Sequence, residues 1–222
     1  KNQQIFLNSL KIVLVTLGIN LFWILPNLYF IIASGNLVSE SKIHSLFTQE
    51  AFAQNKHFGT IQDILIFRNF LFDWSQYTGD GKFAPLLNDW IIHLNKPLVL
   101  IIGYVFSFIA LIGIIYSAYK KNVWSFSLLG ILIFSAFFLF TTNPPSGFLF
   151  AFLQDTLPFF KEALRFSFTK FSILFMFAMS VYFAWGLKIF ARRFSFFLVI
   201  ILIPSFIYYA LPAFEGKLID PA

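Results

Sequence analysis

From its first residues the chain alternates long apolar stretches, almost free of charge, with short polar joints. Five stretches stand out: Ser9 to Ala33, Pro97 to Tyr119, Trp124 to Thr142, Phe166 to Phe190 and Phe194 to Leu211. A bilayer core of about 30 Å is crossed by roughly 20 apolar residues in helical form, so each stretch predicts a membrane-spanning helix. Pro204 and Pro212 are expected to kink or end the last one, because proline lacks a donor and clashes with the preceding turn. Gly18, Gly103, Gly113, Gly130 and Gly186 lie inside spans, where small residues let neighbouring helices approach closely.

Two segments between spans are too long or too apolar to be simple connectors. In 35–96, the pieces 43–53 and 61–74 carry apolar residues at helical spacing: Ile43, Leu46, Phe47 and Phe52, then Ile61, Ile64, Leu65, Phe67, Phe70, Leu71 and Trp74. They predict amphipathic helices lying on the membrane surface. Tyr77-Thr-Gly-Asp-Gly-Lys82 reads as a turn, since Gly and Asp tolerate the backbone angles a turn requires. In 143–165, Asn-Pro-Pro-Ser-Gly precedes an apolar run from Phe148 to Leu157. That run is too short to span and predicts a re-entrant or interfacial helix. The expected fold is all-α: a polytopic transmembrane bundle of about five spans with that extra helix and a long extracytoplasmic loop. Residues 1–222 form a single transmembrane domain, read as a fragment because the chain opens on Lys1 with a span close behind. A further soluble extracytoplasmic domain after Ala222 is compatible with this reading.

Composition removes the soluble alternatives. Of 222 residues, 59% are hydrophobic, 21% aromatic and 12% charged, against roughly 25% charged in an average soluble domain. The 34 Phe residues read mainly as side chains solvated by lipid. A net charge of +6 would point to nucleic acid in a soluble protein, but here the basic residues flank apolar spans, and no nucleic-acid partner is expected. Lys1 and Lys11, Lys120 and Lys121, and Lys188, Arg192 and Arg193 fall on one side if five spans alternate. By the positive-inside rule the N-terminus is then cytoplasmic and the C-terminus extracytoplasmic, in the cell membrane. The chain has no cysteine, which excludes disulfides, thiolate chemistry and Cys-ligated metal.

Nucleotide-binding loops, HExxH and Gly-x-Ser-x-Gly are absent from the sequence. His44, His57 and His93 are far apart in the outer loop and read as solvated surface histidines. No metal or cofactor is expected. The informative cluster is Asp155, Lys161, Glu162, Arg165 and Lys170, at the outer end of the fourth span. Charges there are costly without a partner or ligand. Arg165 and Lys170 suit an anionic phosphate, with the guanidinium able to bind in bidentate fashion, and Glu162 is spaced to orient Arg165 on one helix face. The plainer alternative is an interfacial anchor whose basic side chains reach the headgroups.

Leu157-Pro-Phe-Phe-Lys-Glu-Ala-Leu-Arg-Phe-Ser-Phe-Thr-Lys-Phe-Ser172, followed within the span by Ala184-Trp-Gly186, resembles a Pro…Phe/Leu-Arg-x-x-x-Lys/Arg-Phe pattern. That pattern belongs to polytopic membrane proteins of the GT-C glycosyltransferase superfamily, notably YfhO-like proteins and arabinofuranosyltransferases of the AftD kind. Asn20-Leu-Phe-Trp-Ile-Leu-Pro26 is similar to the aromatic-Trp-x-x-Pro that closes a span before a long outer loop in the same proteins. The resemblance implies transfer of a sugar from a polyprenyl-phosphate donor to an extracytoplasmic glycan or protein acceptor. It also implies an acidic base in the first outer loop, a role not carried onto Glu40 or Asp63, because about five spans are fewer than the family bundle holds. Only Arg165 and Lys170 match the motif by position, with a lipid-phosphate role. Two other classes stay open: a transporter or flippase of lipid-linked saccharide, and a non-catalytic structural subunit. No acidic residue lies inside any span, which disfavours ion-coupled transport.

Overall fold

The computed structural model describes residues 2–69, 75–77, 81–157, 160 and 164–216, with 2, 3, 5, 35, 36, 38, 39, 43–48, 76, 191–195 and 197 described by backbone alone. The chain divides into two compact units, Lys1–Gln49 and Glu50–Ala222. Among the described residues four helices are long and apolar enough to cross a membrane: Phe6–Ser34, Pro97–Tyr119, Val123–Phe140 and Ser167–Phe190. The architecture is a helical membrane bundle.

The first unit is dominated by α1 (Asn2–Ser39), a single helix that runs through Pro26. It extends past the expected end at Ala33. Its apolar side chains are exposed all round, Phe22 at 78% and Ile32 at 77%, as a helix surrounded by lipid or by other spans would require.

The second unit begins within α2 (Lys42–Phe58) and continues through α3 (Ile61–Leu65), where Thr60 caps the helix by accepting from the Asp63 amide at 3.2 Å. The expected helix 61–74 is therefore shorter, because Phe67 adopts a left-handed φ of 57°, which a helix cannot propagate; residues 70–74 lie outside the described set. A two-stranded antiparallel ribbon follows, β1 (Ser75–Tyr77) with β2 (Phe83–Pro85), Gln76 facing Ala84. In its connection Gly81 holds φ +80°; residues 78–80 of the expected turn lie outside the described set. Then come α4 (Asn88–Leu94), α5 (Pro97–Tyr119), α6 (Val123–Phe140), α7 (Gly147–Thr156), α8 (Ser167–Tyr209) and α9 (Leu211–Phe214). Pro97 opens α5, and Asn122 caps α6 by accepting from the Trp124 amide at 3.0 Å. The boundaries expected for the second and third spans agree with α5 and α6 closely.

The fourth and fifth expected spans are both within α8, yet α8 is not one straight rod. Phe183 and Phe206 are 23 residues apart in sequence, about 34 Å along a straight helix, but their ring centroids are 5.8 Å apart. The chain doubles back between them. Equal rise on each limb puts the corner near residue 194, where Lys188, Arg192 and Arg193 cluster in the sequence. The returning limb carries the apolar helix Leu198–Tyr209, inside the fifth span expected at Phe194 to Leu211.

Packing explains the arrangement. Gly103, Ser107, Ala110, Gly113 and Ser117 line one buried face of α5, a strip of small residues on which α8 lies. A side chain at Gly113 would collide with the Tyr182 carbonyl, and one at Gly186 with the Ile109 carbonyl. Gly18 and Gly130 meet nothing, so not every expected packing glycine packs. Tyr182 is fully buried and its hydroxyl donates to the Ser125 carbonyl at 2.7 Å, while the Ser117 and Ser125 hydroxyls share a 2.7 Å bond. At the other end of α6, Phe138 stacks on Phe171 at 4.0 Å. Those two pairings make α6 antiparallel to the first limb of α8. Phe150 of α7, 1% exposed, packs against Phe137 and Phe160. Phenylalanine thus serves both surfaces: it zips α6, α7 and α8 together, and it covers outward faces as at Phe108 and Phe177.

Candidate functional site

Residues 52–69 pack on the ends of α6 and α8 and reach down to the middle of α5 at Ser107, forming a polar cap on the second unit. The chain there leaves regular helix, so its carbonyls need partners. Ser107 donates to the Leu65 carbonyl, Tyr209 to that of Ile66 at 2.7 Å, and Asn143 to that of Lys56 at 2.8 Å. Asn55, 6% exposed, donates to the Arg165 carbonyl at 2.6 Å. Arg68 pairs with Asp63 at 3.3 Å and donates to Asn95 at 3.1 Å.

Two cavities adjoin this cap. The first, about 340 Å³, lies between α5 and the two limbs of α8 and is roofed by Leu65 and Phe67, with Phe106, Met176, Phe183 and Phe206 among its walls. Its polar side chains are spent on the protein itself: Ser107 and Tyr209 as above, and Ser180 on the Met176 carbonyl at 2.8 Å. What it presents is therefore apolar. The second, about 320 Å³, is lined by Phe52, Ala53, Asn55, Lys56, Thr141, Thr142 and Gln154. Of its polar lining, Asn55 donates to the Arg165 carbonyl and Thr141 to the Asn55 carbonyl, and Lys56, Thr142 and Gln154 complete the wall beside Phe52. Phe67 in the roof of the first and Thr141 in the wall of the second each hold a positive φ, 57° and 50°. For an aromatic and a β-branched residue that conformation is strained.

Arg165 stands at the start of α8, half-buried, with its guanidinium carbon 5.0 Å from the centre of the Phe166 ring. Lys170 is exposed on the first turn of the same helix. Glu162 and Lys161 lie outside the described residues. Asp155 is exposed on α7. The N-cap of α8 is Phe166, whose side chain has no oxygen to accept from the first amides. Next to it Ser167 is 1% exposed, and its hydroxyl has no hydrogen-bond partner among the described residues. An uncapped helix start beside a cation and a buried hydroxyl suits a negative charge. Sequence reading missed Ser167, since an isolated serine in an apolar run carries no signal until its burial is known.

Other expected candidates have structural roles. His93 is not a solvated surface residue: it is 3% exposed, and its Nε2 lies 2.8 Å from the Tyr208 carbonyl, because α4 tucks beneath the end of α8. His57 is exposed beside Phe58. Among the described residues no three His, Asp or Glu side chains group to hold a metal. Asp63 is committed to Arg68 and Thr60, and Glu40 is exposed. In the resemblance motif, Trp185 and Gly186 sit where α8 crosses α5, a packing position. No family model, curated protein or solved structure matches the chain.

Proposed function

We propose that this chain is part of a membrane glycosyltransferase that binds a polyprenyl-phosphate-linked sugar and transfers the sugar to an extracytoplasmic acceptor. The polar cap then faces outward, and the Lys120–Lys121 turn and the corner of α8 face the cytoplasm, as their basic residues favour. The N-terminus is cytoplasmic and the membrane is the plasma membrane.

The observation that carries this reading is the start of α8. Arg165, the unspent Ser167 hydroxyl and the first α8 amides offer a phosphate a charge and several donors together. Arg165 and Lys170 would hold the lipid phosphate, with Glu162 orienting Arg165. The apolar cavity supports a prenyl chain, and the cleft by Lys56 and Gln154 supports a sugar. During transfer, fixed positive charge would stabilise the departing lipid phosphate while a base takes the acceptor proton. No described carboxylate is assigned as that base.

The test is binding of polyprenyl phosphate and of uncharged polyprenol to protein in nanodiscs, for wild type, Arg165→Lys, Arg165→Ala and Ser167→Ala. The phosphate should bind more tightly than the alcohol, and that preference should fall about tenfold or more in Arg165→Ala and by less in Arg165→Lys. Equal affinities for both lipids, or for all four proteins, would leave Arg165 an interfacial anchor.

A further inference from the structure

A different surface, on α1, carries an inference that goes beyond the lipid-saccharide reading and does not depend on it. Between Ser9 and Ser34 every Ser, Thr and Asn falls at one of five positions: 9, 16, 20, 27 and 34. At 100° per residue these five side chains lie within an arc of about 40° on a straight helix, and Trp23 adjoins them. Their intervals of seven, four, seven and seven residues are those of a heptad seam. All the other residues of this stretch except Lys11 and Tyr29 are aliphatic, Phe, Trp, Gly, Ala or Pro.

The structure shows what these groups do within α1 alone. Asn20 donates to the Thr16 carbonyl at 2.7 Å, the Trp23 indole donates to Asn20 Oδ1 at 2.7 Å, and Asn27 donates to the Trp23 carbonyl at 2.7 Å. Each amide therefore spends one bond along the helix. The second N–H of each amide and the Asn27 Oδ1 have no partner among the described residues, and the seam lies on an apolar helix with the composition of a membrane span. Unpaired amide groups in hydrocarbon are costly, and helices in lipid associate through such groups.

We infer that α1 pairs through this seam with α1 of a second copy of the chain, as a parallel two-fold helix dimer. The chemistry selects that occupant. An amide is both donor and acceptor, so two Asn side chains satisfy one another. Only a parallel, symmetric pair sets Asn20 against Asn20 and Asn27 against Asn27 at equal depth. The 3.5-residue period of the seam keeps both contacts in register as the helices coil.

The absence of cysteine makes the test direct. Single cysteines are placed on the seam, Thr16→Cys and Ser34→Cys, and away from it, Phe22→Cys and Leu25→Cys, and the full chain is oxidised in liposomes at low protein-to-lipid ratio. Seam positions should form disulfide dimers several-fold faster than the outer ones. A Förster-transfer titration of labelled protein should show the dimer weakened about tenfold or more by Asn20→Leu with Asn27→Leu, and little changed by Ile19→Ala with Leu21→Ala. Equal crosslinking on all faces, or a monomer at every dilution, would overturn the pairing. So would an unchanged dimer in the double Asn variant.

Discussion

Phe183 and Phe206 touch at 5.8 Å between ring centroids although they lie 23 residues apart along α8. Both rings also meet Phe106 of α5, the first edge-on at 5.6 Å and the second stacked at 4.4 Å. One aromatic residue of α5 thereby receives both limbs of α8.

Cysteines placed at Phe183 and Phe206 should be joined by a thiol crosslinker spanning about 10 Å, giving a looped product of altered electrophoretic mobility. A straight helix would hold them about 34 Å apart, beyond the reagent. Absence of the looped product in folded protein would contradict the reversal.

Gly113 and Gly130 should respond oppositely to alanine. At Gly113 the added methyl meets the Tyr182 carbonyl, whereas at Gly130 it meets nothing. Gly113→Ala should cost about 2 kcal/mol or more as α5 and α8 are forced apart. Gly130→Ala should be neutral or stabilising by up to about 1 kcal/mol, since Ala is the better helix former. Thermal unfolding in detergent measures both.

Removing the Tyr182 hydroxyl leaves its ring in place and deletes the 2.7 Å bond to Ser125. Tyr182→Phe should lower stability by about 1 kcal/mol, with little effect on lipid-phosphate binding. A larger loss of binding than of stability would show that this buried pair communicates with the start of α8.

Asp63 tests whether the outer-loop carboxylate is structural. Because its carboxylate accepts from the Thr60 hydroxyl and pairs with Arg68, Asp63→Asn should cost about 1 kcal/mol and leave the proposed sugar transfer within a few-fold of wild type. Loss of transfer by orders of magnitude with folding intact would instead make Asp63 the base.

Membrane sidedness is checked by single cysteines at Lys120 and Gly81. An impermeant thiol reagent should reach the Gly81 position from outside and the Lys120 position only after the membrane is opened. Labelling of both from the same side would overturn the proposed topology.

The hydrophobic pattern by itself determined the class of the protein and the limits of α5 and α6. Several runs of about 20 apolar residues in a chain of this size are stable across a bilayer, and their ends are set where polar residues begin. The pattern also located Arg165, because a charge beside a span is conspicuous. Tertiary structure decided what depends on distance between segments remote in sequence. The reversal within α8 was legible in the sequence as two spans joined at Lys188, Arg192 and Arg193, but the meeting of Phe183 and Phe206 on Phe106 was not. The burial of His93 follows from α4 meeting Tyr208, and the isolation of the Ser167 hydroxyl follows from packing around the start of α8. Gly113 and Gly130 look alike in sequence, yet only the first faces another backbone. Local propensity carries no information about which face of a span a neighbour will cover, since lipid and protein interior are equally apolar surroundings for it.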